Sequence, residues 1–146
     1  MAELKITSGS IEAQKQEVFR LAFADVNKVN SVERCEWFLG QFKDAQQYSD
    51  VTKLRNHLAF QNAEKEGTYQ SFKNFMEKFP MAEDYNLANE KYELTLFETL
   101  TASKTIQAYV DFLKQYPKST YRKDAEDKIY RLAVPKGKIK EYHDFI

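Results

Sequence analysis

The stretch YVDFLKQYPKSTYRKDAEDKIYRLAV, from Tyr109 to Val134, repeats the pattern of FKNFMEKFPMAEDYNLANEKYELTLF, which begins 37 residues earlier. Each starts with an aromatic residue, reaches Phe three positions on, and then has a second aromatic residue followed by Pro. A shift of 37 also aligns large apolar residues along the rest of the chain. The aligned sets are Phe38, Phe75 and Phe112; Phe42, Phe79 and Tyr116; Leu39, Met76 and Leu113; Val51, Ala88 and Ala125; and Phe23, Phe60, Phe97 and Val134. This many matches at one period indicates a repeat protein.

The apolar spacing within each copy is that of a helix. Four residues of the last copy fall at i, i+3, i+4 and i+7, on one side of a helix: Tyr109, Phe112, Leu113 and Tyr116. Pro117 ends this helix, because proline disfavours helix in the preceding residue and has no backbone N–H. The residues from Lys123 to Ala133 predict a second helix, which Ser119 can cap. Each copy therefore predicts a helical hairpin, helix A followed by helix B.

We predict one all-α domain over residues 1–146, a right-handed α-α superhelix (solenoid) of about three and a half hairpins and eight helices with a period of 37. A leading B-type helix covers 10–24. Hairpins cover 31–60, 68–97 and 105–134. A truncated fourth hairpin covers 138–146, where KIKEYHDFI matches TIQAYVDFL of the last copy.

Neighbouring hairpins must share the burial of the aromatic residues. Each buried Phe contributes roughly 1.5–3 kcal/mol, whereas ordering each residue costs about 1–2 kcal/mol of backbone entropy. The apolar edge of the truncated hairpin, formed by Ile139, Tyr142 and Phe145, lacks a following B helix. We therefore expect the natural protein to continue beyond Ile146, or another chain to cover this edge.

The composition limits the classes of partner. The 22 basic and 22 acidic residues balance, so no general attraction to nucleic acid or to anionic membranes is expected. No apolar run approaches membrane-spanning length, so we expect no direct membrane insertion by this segment. The first ten residues have no hydrophobic signal core, which is consistent with a cytosolic protein or with an exported one whose signal has been removed. The single cysteine excludes an internal disulfide framework.

The spacing of large residues resembles the tetratricopeptide repeat. The last copy fits the pattern of that family at Tyr109, Phe112, Leu113, Tyr116, Ala125 and Ile129. The middle copy fits it at Phe72, Phe75, Met76, Phe79, Ala88 and Tyr92. The first copy fits less well, at Cys35, Phe38, Leu39, Phe42, Val51 and Arg55. Two departures are that the family's Gly is Leu or Met in every copy, so helices A and B should stand further apart, and that the period exceeds the usual value of about 34 residues.

Two phrases of the sequence, FLKQYPKSTYRKDA and FMEKFPMAEDY, are similar to repeats of bacterial cell-envelope proteins. Examples are outer-membrane assembly lipoproteins of the BamD type and periplasmic Tol-Pal coordinators. This resemblance implies a periplasmic or cell-envelope location, with the cytoplasm as the alternative. HEAT-type repeats, which have a comparable length, are the structural alternative.

No residue pattern predicts a cofactor, a metal ion or a catalytic site. Cys35 aligns with aromatic core positions of the other copies, so we interpret it as a buried, inert thiol rather than a nucleophile. His57 and His143 do not lie at metal-ligand spacing from a Cys or a carboxylate, so solvated or partly packed histidines are expected. The four glycines form no phosphate-binding cluster.

One residue breaks the repeat pattern. Trp37 occupies a position that is polar in the next two copies, where Asn74 and Asp111 stand. A Trp there can anchor a partner, because Trp is enriched among interface hot spots. The alternative is that apolar residues of the leading helix cover it, namely Val18, Leu21 or Val26. The candidate partner-binding residues on the A helices are Trp37, Gln41, Lys73, Asn74, Asp111 and Lys114.

The sequence thus predicts a non-enzymatic protein–protein interaction scaffold. Its outward A-helix residues are polar and mixed in charge, which suits a protein or an extended peptide better than a polyanion. One alternative is a structural repeat that associates end to end through its C-terminal edge. Another is an accessory region of a larger protein whose other domain carries the activity. An enzyme would need converging carboxylates, which the sequence does not indicate.

Overall fold

The computed structural model describes residues 8–134, and all regular secondary structure in that range is helical. The helices are α1 Ser8–Val29, α2 Val32–Gln41, α3 Tyr48–Glu66, α4 Tyr69–Lys78, α5 Tyr85–Leu100, α6 Ile106–Gln115 and α7 Arg122–Ala133. The predicted all-α fold is confirmed, with a leading helix followed by a first hairpin (α2–α3), a second (α4–α5) and a third (α6–α7). The predicted helix at 138–146 lies outside the described residues.

The turn inside each hairpin has the same backbone conformation in all three copies. The residue after each A helix is aromatic, with φ and ψ of −125° and 63° for Phe42, −128° and 64° for Phe79, and −128° and 62° for Tyr116. Three residues further on, an N–H donates to the carbonyl oxygen of this aromatic residue, at 3.2, 3.1 and 3.1 Å. The sequence repeat is therefore also a repeat of backbone conformation.

Proline is not what shapes these turns. Pro80 and Pro117 follow the aromatic residue in two copies, but Lys43 follows it in the first, where the turn is the same. The common feature is a ring contact one helical turn back, with centroid distances of 5.2, 5.6 and 5.5 Å from Phe38, Phe75 and Phe112. Burial of the aromatic residue against its own A helix therefore accounts for the shared conformation.

The junctions between hairpins also repeat. Asn30, Gly67 and Lys104 are spaced by 37, and each has a positive φ, of 52°, 64° and 54°. A Ser or Thr follows each of them, and its hydroxyl caps the next A helix by accepting a backbone N–H at 3.1, 3.1 or 3.2 Å. One left-handed residue followed by a hydroxyl cap thus precedes each A helix. Asn30 and Gly67 also end the helices before them, α1 and α3, whereas α5 already ends at Leu100, four residues before Lys104.

Two predicted helix ends are corrected by these junctions. The leading helix was predicted to end at residue 24 and α3 at residue 60, but they continue to Val29 and Glu66. Both continue because the left-handed residue that stops them, Asn30 or Gly67, stands further along the chain. In α1 the Asn30 N–H donates to the Val26 carbonyl oxygen at 2.8 Å, which closes the last turn.

The predicted role of Ser119 as the cap of α7 is wrong. The residue at the N-terminal cap of α7 is Tyr121, and its side chain makes no capping hydrogen bond. Ser119 lies two residues earlier, where its hydroxyl accepts the Tyr121 N–H at 3.1 Å and donates to a Glu93 carboxylate oxygen at 2.9 Å. It therefore stabilises the turn and links this turn to α5.

Extensive contacts join each helix to the next one along the chain, and the closest packing is between the two helices of each hairpin. Three buried clusters result, one among α1, α2 and α3, the next among α3, α4 and α5, and the last among α5, α6 and α7. The two B helices that lie between hairpins, α3 and α5, each contribute to two clusters: α3 places Leu58 in the first and Phe60 in the second. The apolar residues that align in the sequence therefore hold each hairpin to the next.

Alanine substitutions at two glycines are expected to change the free energy of unfolding in opposite directions. Gly67→Ala is expected to lower the free energy of unfolding by about 1 kcal/mol, because Gly67 has φ 64° and a Cβ disfavours that conformation. Gly40→Ala is expected to raise it by about 0.5–1 kcal/mol, because Gly40 lies in α2 and an added Cβ has no atom within 4 Å. Urea denaturation followed by circular dichroism measures both changes. Two changes of the same sign would contradict the backbone conformation described for Gly67 or for Gly40.

Candidate interaction surface

The structure places all six predicted partner-binding residues on exposed parts of the A helices. They are Trp37 and Gln41 in α2, Lys73 and Asn74 in α4, and Asp111 and Lys114 in α6. Three of them, Trp37, Asn74 and Asp111, share one repeat position. The other three occupy different positions, so they do not form a repeated row.

Asn74 lines a groove of about 230 Å³ between the start of α2, the end of α3, and α4. We call it the first groove. Ala63, Phe75 and Phe79 give it a buried apolar lining, whereas Glu66 and Asn74 line it with exposed polar groups. The groove therefore combines an apolar lining with hydrogen-bonding side chains.

Asp111 lines a second groove, of about 340 Å³, between the end of α5 and α6. Six of its lining positions are repeat equivalents of the first groove: Ala63 and Leu100, Glu66 and Ser103, Ser71 and Ala108, Asn74 and Asp111, Phe75 and Phe112, Lys78 and Gln115. The Asp111 carboxylate accepts a hydrogen bond from the Gln107 amide at 2.7 Å. The two grooves are thus the same surface feature in consecutive repeats.

Larger side chains occupy the equivalent place on α2. Arg34 and Trp37 stand where α4 has Ser71 and Asn74, and the Arg34 guanidinium lies 3.9 Å from the centroid of the Trp37 ring. Arg34 also forms an ion pair with Asp25 of α1, and the Trp37 ring contacts Phe42 edge-on at 5.5 Å. Trp37 therefore belongs to a cation–π pair that links α2 to α1.

Trp37 nevertheless keeps 37% of its surface exposed. Two of the three residues suggested as its cover, Val18 and Leu21, are themselves about half exposed. The ring contacts described above come from α2 and from the residue after it, and α1 contributes through Asp25. Trp37 thus has a packing role and an exposed edge, and its role in binding stays a prediction.

Gln41, Lys73 and Lys114 line neither groove. The Lys73 ammonium lies 3.9 Å from a Glu77 carboxylate oxygen one helical turn on, and both side chains are mostly exposed. Such an exposed pair contributes little to stability. Among the predicted residues, the structure therefore brings Asn74 and Asp111 into equivalent grooves and leaves these three outside them.

The single cysteine is buried, as predicted. The Cys35 side chain has no exposed surface, and burial raises the pKa of its thiol. We expect Ellman's reagent to leave the folded chain unmodified at mildly alkaline pH and to release one equivalent in urea. Rapid reaction of the folded chain would show that α2 opens readily, because the thiolate must reach solvent to react.

A further cluster lies between α3 and the turn before α5. His57 Nδ1 lies 3.1 Å from an Asp84 carboxylate oxygen, and its Nε2 lies 3.2 Å from the Gln61 amide nitrogen. With Nδ1 protonated, the ring donates to Asp84 and accepts from Gln61, so both nitrogens are satisfied. His57 and Asp84 border a pocket of about 690 Å³ whose lining includes the exposed Met81.

The sequence interpretation missed this pairing of His57 with Asp84. Alignment by the repeat compares equivalent positions, and these two residues are 27 apart rather than 37. A contact between α3 and the turn before α5, made by non-equivalent positions, leaves no mark at the repeat period. Within residues 8–134, no three His, Cys, Asp or Glu side chains form a group that could hold a metal ion.

Comparisons of the chain with protein-family models, with curated proteins and with solved structures found no match. The resemblance to tetratricopeptide repeats and to cell-envelope proteins therefore stays a prediction based on the residues quoted above. Of the helices in the described range, none is both long enough and apolar enough to cross a membrane.

Proposed function

We propose that this chain is a non-enzymatic scaffold for protein–protein interaction that binds an extended peptide segment of a partner along its A helices. The supporting observation is the pair of equivalent grooves at Asn74 and Asp111. In this proposal the hairpins stack as a right-handed α-α superhelix, which gives the A helices one continuous surface. An extended segment crossing that surface meets a similar groove at α4 and at α6.

The lining of the grooves favours a particular kind of segment. Amide side chains border both of them, Asn62 and Asn74 in the first and Gln107 and Gln115 in the second. An amide group both donates and accepts hydrogen bonds, so it can pair with the N–H and C=O groups of an extended backbone. Side-chain amides in both grooves suit a ligand whose backbone is not already paired within a helix or sheet.

Charge adds a preference for basic side chains. Carboxylates line the first groove at Glu33 and Glu66 and the second at Asp111, against the single ammonium group of Lys78. A partner segment with Lys or Arg beside small apolar residues therefore complements both the charge and the buried lining of the grooves. Its affinity falls as salt concentration rises, because these carboxylates are exposed and salt screens them.

The setting of this scaffold is proposed from resemblance. The phrases that begin at Phe75 and Phe112 are similar to repeats of bacterial cell-envelope proteins. We therefore propose a tetratricopeptide-like repeat that acts in the periplasm or cell envelope, with the cytoplasm as the alternative. Cell fractionation with an antibody against the natural protein distinguishes the two locations.

Filling the two grooves with large side chains tests the proposed function. Peptides are first selected from a displayed random library on the folded chain, and their affinities are then measured by fluorescence anisotropy. Asn74→Trp combined with Asp111→Trp is expected to weaken binding by about tenfold or more, because the added rings take the place of the ligand. The change is compatible with the fold, because Trp37 occupies the equivalent position in α2.

Glu90→Trp is the matched control, because it adds the same ring at an exposed site of α5 that lines neither groove. It is expected to bind the selected peptides as the unmodified chain does. The proposed binding surface would be overturned if no peptide were selected, or if the selected peptides bound the double Trp variant and the control variant with equal affinity.

A further inference from the structure

A large pocket lies on a part of the surface that the proposed peptide binding does not use. Its volume is about 690 Å³, and it lies between α3 and the turn that joins α4 to α5. We call it the junction pocket, because the first hairpin meets the second there. None of its lining residues lines either groove. Binding in this pocket is therefore independent of the grooves.

Comparison with the preceding repeat explains how this pocket arises. Where α1 meets the first hairpin, Lys15 of α1 forms an ion pair with Asp44, which lies in the turn between α2 and α3. A shift of 37 aligns these two residues with Thr52 and Met81, and both of these line the junction pocket. Thr52 and Met81 carry no charge, so they form no ion pair across the junction. The pocket therefore lies where charged side chains link the preceding junction.

Met81 is the residue that most distinguishes this junction. Its exposed fraction of 92% exceeds that of every other large apolar residue in the range 8–134. The equivalent residues of the other two turns are charged, Asp44 and Lys118. The fold therefore does not require an apolar side chain at this position. A methionine side chain is unbranched and polarisable, so it adapts to a ligand and contacts aromatic rings favourably.

The charged groups that line the pocket are paired with one another. The Lys53 ammonium lies 3.6 Å from a Glu83 carboxylate oxygen, and His57 Nδ1 lies 3.1 Å from an Asp84 carboxylate oxygen. A charged ligand group would compete with these pairs, whereas an uncharged group leaves both of them intact. The electrostatics of the pocket therefore complements an uncharged side chain.

We propose that the junction pocket binds an aromatic side chain of a partner protein, with the ring against Met81 and Leu54. The ring makes a sulfur contact that an aliphatic side chain lacks, and the volume of the pocket accommodates it. The Ser49 hydroxyl and the Asn56 amide belong to the same lining, so a Tyr hydroxyl or a Trp N–H finds a hydrogen-bond partner there. The chain then has a second interaction surface, formed by a B helix and a turn rather than by A helices.

Titration with N-acetyl-tryptophanamide tests the proposal, because this probe carries an amide on each side of the aromatic residue, as a protein does. In the unmodified chain with ¹³C-labelled methionine methyl groups, the Met81 signal is expected to shift and to saturate at about millimolar probe. The Met76 signal is the reference, because Met76 is buried in the second cluster. N-acetyl-leucinamide and N-acetyl-lysinamide are expected to displace the probe only at about tenfold higher concentrations.

Giving this junction the ion pair of the preceding one is expected to close the pocket. Thr52→Lys with Met81→Asp is expected to weaken binding of the probe by about tenfold or more, because the new side chains take the place of the ligand. The ring signal of His57, which lines the pocket, reports binding in this variant. Asn89→Lys with Lys118→Asp is the matched control, because it places the same pair at the next junction, outside the pocket. It is expected to bind the probe as the unmodified chain does.

Circular dichroism verifies that each variant stays helical. The proposal would be overturned if the Met81 signal did not respond to the tryptophan probe, or if the lysine or leucine probe displaced it equally well. Equal binding by the closed and control variants would also overturn it. The variant with Asn74→Trp and Asp111→Trp is expected to bind the probe as the unmodified chain does, and a loss of binding there would place the probe in the grooves instead. The proposals for the grooves and for the junction pocket therefore fail separately.

Discussion

Phe112→Ala is expected to lower the free energy of unfolding of the third hairpin by about 3–5 kcal/mol. Phe112 is almost fully buried, and its ring contacts those of Phe97 and Tyr116 at centroid distances of 5.1 and 5.5 Å. Removing it takes away one of the two buried aromatic rings of the third cluster and leaves a cavity between α5, α6 and α7. The loss is large compared with the roughly 5–15 kcal/mol that stabilise a typical domain.

The loss is also expected to stay local. Extensive contacts join consecutive helices, so α6 and α7 depend on α5 rather than on α2 and α3. Hydrogen exchange read by mass spectrometry is expected to show faster exchange in α6 and α7 of the variant, with α2 and α3 as protected as before. Leu113→Ala is the control: Leu113 is only partly buried in the same cluster, so its effect is expected to be smaller. Equal loss of protection in all described helices would contradict this picture.

The sequence predicts the core well because the core repeats. Phe38, Phe75 and Phe112 are aligned by a shift of 37, and all three are buried. Helical spacing around each Phe defines an apolar side, and a hairpin cannot cover that side alone. The burial of these residues, the assignment of each helix as A or B, and the order of the hairpins therefore all follow from the spacing of the large aromatic residues.

The ends of the helices were less predictable. Gly67 is recognisable as a helix end because glycine adopts positive φ without strain. Asn30 and Lys104 adopt the same conformation in the other copies, although for a lysine it costs roughly 1–2 kcal/mol. Lys104 lies in the turn between α5 and α6, where its N–H donates to the Thr101 carbonyl oxygen at 2.9 Å, and no local preference of lysine signals this conformation.

The candidate site was predictable only in part. Repeat alignment places Asn74 and Asp111 at one position of consecutive A helices, and the structure keeps that equivalence. The grooves themselves depend on the neighbouring side chains, which are the small Ser71 and Ala108 in two copies and Arg34 in the first. Alignment shows which residues are equivalent, but the space between them depends on the three-dimensional packing.

Phe38→Ala is expected to cost the first hairpin about 3–5 kcal/mol, for the reason given for Phe112 but at the other end of the described chain. Phe38 has no exposed surface and lies in the cluster that joins α2 to α1 and α3. The exchange pattern should therefore be the reverse of that for Phe112→Ala. We expect α1, α2 and α3 to exchange faster, with α6 and α7 unchanged.

The double variant shows whether the two ends of the chain are coupled. Phe38 and Phe112 belong to different clusters, and their helices are not consecutive. Sites without shared partners usually have additive effects, within roughly 0.5 kcal/mol. Urea denaturation monitored in each hairpin gives the loss of free energy of unfolding for that hairpin. Each loss is therefore expected to be the same in the double variant as in the corresponding single variant. If the loss measured in either hairpin differs between the double and the single variant by more than about 1 kcal/mol, the hairpins unfold as one unit rather than separately.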